Sequence, residues 1–129
     1  MNTFLNPPNV RAPAGAYTHT VLVPANARWL VMSGQVGIAP DGKLAEGAEA
    51  QTEQCFKNIL ACLAAHGMGK EDLVKFTIYV TDSRYIPIYR AVRERMIGND
   101  TKPTSTLCVI DGLAAPEMLV EVEAWAAKA

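Results

Sequence analysis

The sequence has little that would suit a membrane, a nucleic acid or a metal ion. Its apolar runs are short and interrupted, and none approaches the roughly 20 residues that a bilayer span requires. Twelve Lys and Arg stand against thirteen Asp and Glu, a formal charge of -1 with no basic run outside "RAVRER". A nucleic-acid binder normally carries a concentrated basic footprint, so nucleic acid is not expected as a partner. The three cysteines are odd in number and lack C-x-x-C spacing, and only two histidines occur. That argues against a disulfide framework and against a zinc site. The leading "MNTFLNPPNVRAPAG" has no basic head followed by an apolar core, so no secretory signal is read there and a cytoplasmic location is expected.

What is present describes a compact globular chain. Half of its 129 residues are hydrophobic and 19% are charged, a balance and length that fit one domain over residues 1–129. After the Pro-rich leader, "AYTHTVLV" and "RWLVMSGQV" read as two strands forming a hairpin about "PANA". A helical period follows through Cys55, Phe56, Ile59, Leu60 and Leu63, with Gly67 as its stop. Cys55 and Cys62, two turns apart, read as core residues. "LVKFTIYV" alternates as a strand. A second helix begins near the cap candidates Asp82 and Ser83, carries the apolar stripe Tyr85, Ile88, Tyr89, Val92 and Met96, and ends at Gly98. "TSTLCVI" and "EMLVEVEAW" complete the order ββαβαββ.

The predicted class is therefore α+β, a sheet with two helices packed on one face. In the last strand Met118, Val120 and Val122 point one way and Leu119, Glu121, Glu123 and Trp125 the other. A bare face that mixes large apolar groups with two carboxylates suits an oligomer interface holding a polar site.

Five groups of polar residues bear on candidate chemistry. Tyr17 and His19, two apart on one predicted strand, could position a substrate, or could be a half-buried ring beside a surface imidazole. Ser33 and Gly34 stand at a strand end, where a glycine often marks close approach of a ligand or another chain segment. Glu121 and Glu123 are carboxylates on a face where desolvation is costly, which favours a task or a partner for each. The helix charges Arg90, Arg93, Glu94 and Arg95 read as a solvated face. The hydroxyl run Thr104, Ser105, Thr106 leads directly into the apolar Leu107–Ile110, and its purpose is not evident from periodicity.

Taken together, "SGQVGIAPDGKL", "AEAQTEQCFKNILACLAAHGMGKEDLVKFTIYVTD", "KPTSTLCVIDGL" and "LVEVEAWA" resemble the Rid family of reactive intermediate deaminases, also called RidA-like or YjgF-type proteins. The resemblance spans Tyr17 to Trp125. It implies a mixed sheet of chorismate-mutase-like fold assembled as a homotrimer, with small-molecule clefts between subunits and no cofactor or metal. It also implies hydrolysis of reactive imines and enamines. In active members a Tyr of the first strand, the Ser-Gly pair, an Arg of the next-to-last strand that grips the substrate carboxylate, and a Glu that positions water make the site.

On that pattern Tyr17, Ser33 and Glu121 take the catalytic places. Gly34, Tyr89, Ser105, Thr106 and Cys108 take the substrate-binding ones. The Arg is missing: after Pro103 and Thr104 stands Ser105, with Thr106 as the alternative occupant. Tyr89 replaces a polar amide found in some deaminating members. A serine offers one ordinary hydrogen bond where an Arg offers a charge-assisted fork, so carboxylate affinity falls unless Arg11, Arg28 or Lys102 reaches in. Three functions stay open: a deaminase-type hydrolase whose substrate is anchored differently, a non-catalytic metabolite- or protein-binding member, and an aminomuconate-type deaminase of aromatic catabolism. The older ribonuclease description of the family fits the charge balance least well.

Overall fold

A computed structural model describes all residues from Met1 to Ala129. The elements are β1 (Thr3–Leu5), β2 (Thr20–Leu22), β3 (Arg28–Val31), β4 (Gln35–Val36), α1 (Gly47–Ala65), β5 (Leu73–Val80), α2 (Tyr85–Ile97), β6 (Thr104–Val109) and β7 (Val120–Lys128). The fold is the α+β arrangement expected, two helices on a mixed sheet. The main sheet runs β3-β7-β5-β6, with β4 also on β7. Only β5 and β6 are parallel; the other pairs are antiparallel.

The sheet departs from the expected order at its N-terminal side. No β2–β3 hairpin forms. Instead β2 pairs with β1, a strand hidden in the Pro-rich leader, and β3 pairs with β7. The expected second strand is broken at Met32–Gly34, so that β3 and β4 lie in succession along β7. Tyr17 and His19 precede β2 in irregular chain rather than sharing a strand. The last strand begins later than its apolar pattern suggested, at Val120, and runs on to Lys128.

Helix α1 buries the stripe predicted for it, with Cys55, Phe56, Ile59 and Leu63 fully enclosed. It ends where Gly67 adopts φ 68°, a conformation that costs glycine nothing and other residues about 1–2 kcal/mol. Across the core, Phe56 meets Phe76 of β5 edge-on at 5.6 Å and Tyr89 of α2 at 5.8 Å. Burial of each such ring contributes about 1.5–3 kcal/mol. Gly37 is packed so closely that a Cβ there would lie 2.6 Å from Cα of Gln51, so the chain after β4 runs directly against α1.

Gln51 then does the work of a bracket. Buried in α1, its amide nitrogen donates to the carbonyls of Ala45 and Glu117 at 3.0 and 2.9 Å, and its oxygen accepts from Leu119 N–H at 2.8 Å. One side chain thereby fixes the loop that feeds β7.

The far face of the sheet carries no helix. Trp29, Val31 and Trp125 are 52%, 59% and 40% exposed there, the two indoles edge-on at 6.0 Å. No helix of the chain is long and apolar enough to cross a membrane.

Candidate functional site

Strand pairing sorts the candidate residues into two groups. Along β7, Val120, Val122 and Ala124 are buried in the core, so Glu121, Glu123 and Trp125 alternate onto the uncovered face. The cross-strand rows there are Glu121–Tyr79–Cys108 and Glu123–Thr77–Thr106. Ser105 belongs to the opposite face, in the row Ala124–Phe76–Ser105 beneath α2.

The first group forms where β3 gives way to β4. Gly34 lies so close to Glu121 that a Cβ would overlap its Oε2 and stand 2.8 Å from its carboxyl carbon. Only a residue without a side chain lets this carboxylate lie along the backbone at the strand break. Ser33 beside it is exposed. Its carbonyl accepts from the Gln35 amide at 3.1 Å. The chain's ion pairs join Lys57 and Arg95 to helix glutamates and Arg84 to Asp82. Glu121 and Glu123 take no part in them. The structural partner expected for Glu123 is therefore not an ion pair within its own chain.

The second group surrounds a cavity of about 440 Å³ between the N-terminal segment, α2 and β6. Tyr17, Tyr89 and Ser105 all line it. The three hydroxyls of the 104–106 run thus have three fates. Thr104 laces the sheet by donating to Val74 O at 2.9 Å, Ser105 faces the cavity, and Thr106 is exposed on the other side. Thr106 and Cys108 do not join Ser105.

The N-terminal segment is tied down around this cavity. Tyr17 Oη accepts from Ala14 N–H at 3.3 Å, which leaves its own proton free to donate. His19 meets Tyr17 edge-on at 5.6 Å, and its Nε2 donates to Arg11 O at 2.6 Å. Thr18 N–H donates to Pro103 O at 3.3 Å, joining the segment to the start of β6. His19 is thus a partly exposed imidazole that also serves as a structural tie. Tyr89 is only 4% exposed and stacked in the core, and burial pushes its phenol well above the ordinary range.

Charge in the cavity was the least legible part. Arg11, Arg90 and Arg93 line it against the single carboxylate of Glu94. Arg93 does not belong to a solvated face: it is 4% exposed and donates to the carbonyls of Gly98 and Thr101 at 2.6 and 2.9 Å. Burial lowers its affinity for the proton, yet a guanidinium keeps its charge in proteins. Of the three cations considered as replacements for the missing Arg, only Arg11 reaches this cavity. Arg28 pairs with Lys128 at the far end of β7, and Lys102 opens on a larger cavity of about 730 Å³ between the chain's two ends. That larger space holds none of the predicted site residues, so the chemistry follows the smaller one.

Comparison with known proteins agrees with this architecture. A family model described as endoribonuclease L-PSP matches residues 8–128. The chain is 45% identical over 76 residues to a RutC family protein of Aquifex aeolicus, a match covering 58% of each chain. It is 29% identical to the 2-iminobutanoate/2-iminopropanoate deaminase of Salmonella typhimurium over 93% of both chains. The crystal structure of a Rid-family protein of unknown function, YyfB from Yersinia pestis, superimposes with a TM-score of 0.82 at 27% identity over 97% of each chain.

Proposed function

Because the chain belongs to the Rid (YjgF-type) family, we propose that it is a hydrolase of reactive imine or enamine C–N bonds, with water positioned by Glu121. The observation that carries this reading is the Gly34–Glu121 contact, which holds a carboxylate on the uncovered sheet face where a neighbouring subunit would complete a cleft. Tyr17, Ser105 and Tyr89 supply the other wall. Since the two walls lie on opposite faces of one chain, the site requires the homotrimer that family resemblance implies, with each cleft shared by two subunits.

In such a cleft Glu121 accepts a proton from water as the oxygen attacks the imine carbon. The C–O bond forms and the C=N π electrons move to nitrogen, which takes a proton. The resulting carbinolamine gives up its hydroxyl proton, which Glu121 passes to nitrogen as the C–N bond breaks, so that ammonia leaves, a carbonyl remains and Glu121 is again a carboxylate. Tyr17 has its O–H free to steady developing charge on nitrogen or oxygen. The Salmonella relative is named for deaminating 2-iminobutanoate and 2-iminopropanoate, which makes small 2-imino acids the first substrates to try.

The test is ammonia release from imines generated freshly by an amino-acid oxidase. Activity in the parent that is lost in Glu121→Gln, with the fold intact by circular dichroism, supports the reading. Equal rates for the two sink it. A second reading, a non-catalytic metabolite-binding member, is favoured by a hydroxyl, Ser105 or Thr106, where the family resemblance places an Arg; it predicts saturable binding without turnover. A ribonuclease would need an extended basic groove, whereas the arginines here gather in a cavity sized for one small molecule.

A further inference from the structure

We propose that Arg11, with Arg90 beside it on α2, is the carboxylate anchor of this cleft, taking over a task that the strand position held by Ser105 cannot perform. The inference rests on reading the Tyr17–Ser105 cavity as one wall of the substrate site. Both arginines line that cavity, and neither takes part in the chain's ion pairs. Arg93 adds a third positive charge, its guanidinium bonded to two carbonyls, with Glu94 the one carboxylate in the lining. Three guanidinium charges around one carboxylate repel one another, and an anionic ligand relieves that repulsion.

Arg11 lies in an irregular segment, which by itself would give a loose anchor. Here the segment is fastened on both sides of the arginine's reach. His19 Nε2 holds the Arg11 carbonyl at 2.6 Å, His19 N–H donates to Asn6 Oδ1 at 2.8 Å, and Thr20 Oγ donates to Leu5 O at 2.6 Å in the β1–β2 ribbon. The same His19 ring rests on Tyr17, so anchor and phenol are positioned by one imidazole. Aromatic and apolar walls from Tyr17, Tyr89 and Leu107 suit a small organic carboxylate better than inorganic phosphate, and the guanidinium fork matches a carboxylate's two oxygens.

The experiment measures binding, so that it is separable from turnover. Pyruvate, a 2-oxo acid product, and its neutral amide are titrated into the parent, Arg11→Gln, Arg90→Gln, Arg11→Lys and Glu121→Gln proteins, followed by ligand NMR and calorimetry. Loss of a charge-assisted pair weakens pyruvate by roughly tenfold or more in Arg11→Gln, less in Arg90→Gln, with partial recovery in Arg11→Lys. The amide binds parent and Arg11→Gln alike, and Glu121→Gln retains pyruvate. Equal pyruvate affinity in parent and Arg11→Gln, no pyruvate binding by the parent, or equally tight binding of inorganic phosphate overturns the proposal. Arg11-dependent binding without ammonia release from any imine leaves the anchor standing and removes the hydrolase reading. Turnover of 2-imino acids that ignores Arg11→Gln does the reverse.

Discussion

Ser105 and Glu121 stand on opposite faces of one sheet, Ser105 in the Phe76 row under α2 and Glu121 in the Tyr79 row on the uncovered side. No bending of a single chain brings them together without dismantling β5 between them. A site that uses both is made by two copies, and this yields a test that a simple knockout does not.

Tyr17→Phe and Glu121→Gln, each inactive alone, should complement when unfolded and refolded together. Random mixing gives about a quarter of the clefts both intact walls, so ammonia release should recover to roughly that fraction. Mixtures that stay inactive while light scattering reports trimers would show that both groups act from the same subunit, or that one is not needed.

Gly34→Ala should disturb Glu121 more than the strand break. Its Cβ collides with the carboxylate, an overpacking that costs ~1–3 kcal/mol. In the Glu121→Ala background the same change should be nearly neutral, because the atoms it strikes are gone. Equal losses of stability in both backgrounds, read from urea midpoints, would mean that backbone preference rather than the contact governs this glycine.

Gln51→Ala removes three hydrogen bonds at once and takes a partner from partly buried backbone groups of Ala45, Glu117 and Leu119. The expected loss is ~1–3 kcal/mol for each group that water cannot reach. Activity should fall as well, since the loop feeding Glu121 is released. A thermal midpoint unchanged from the parent would contradict this.

Cys55 sets an alkaline limit. Burial, helped by the Glu121 carboxylate, pushes its thiol from 9.0 up to about 12. The unfolded thiol ionises above about pH 9 while the folded one stays protonated, so its contribution is complete below that pH and is lost as pH climbs toward 12, at up to about 1.4 kcal/mol per unit. Cys55→Val should therefore lose less stability than the parent between about pH 8.5 and 10.5. Parallel curves would rule this group out as the cause.

Regular elements were legible wherever one periodic pattern persisted. β5 was read over the residues it occupies, and α1 and α2 from their buried stripes and terminal glycines. The residues around Pro103 suggested a hydroxyl, Ser105 or Thr106, at the place where active members carry Arg, and periodicity alone did not show that these two side chains face opposite sides of the sheet. The N-terminal third was not legible, because Thr3–Leu5 is too short to show alternation amid prolines and because pairing partners lie a hundred residues away on β7. Arg93 misled for another reason: nothing in "RAVRER" shows that the carbonyls of Gly98 and Thr101 turn back to receive a guanidinium. Arg11 gave no signal beyond being a cation, since its reach depends on the His19 tie.

The position of β7 has a consequence for how the chain is made. β3, β4 and β5 all pair with it, from Arg28–Lys128 to Val80–Val120. During synthesis the ribosome therefore releases helices and strands whose only common neighbour is still missing. High contact order of this kind slows folding and leaves strand edges open to other nascent chains. Arrested chains ending at residue 119 should expose apolar surface to a dye such as ANS and bind chaperones, and chains extended past residue 128 should not.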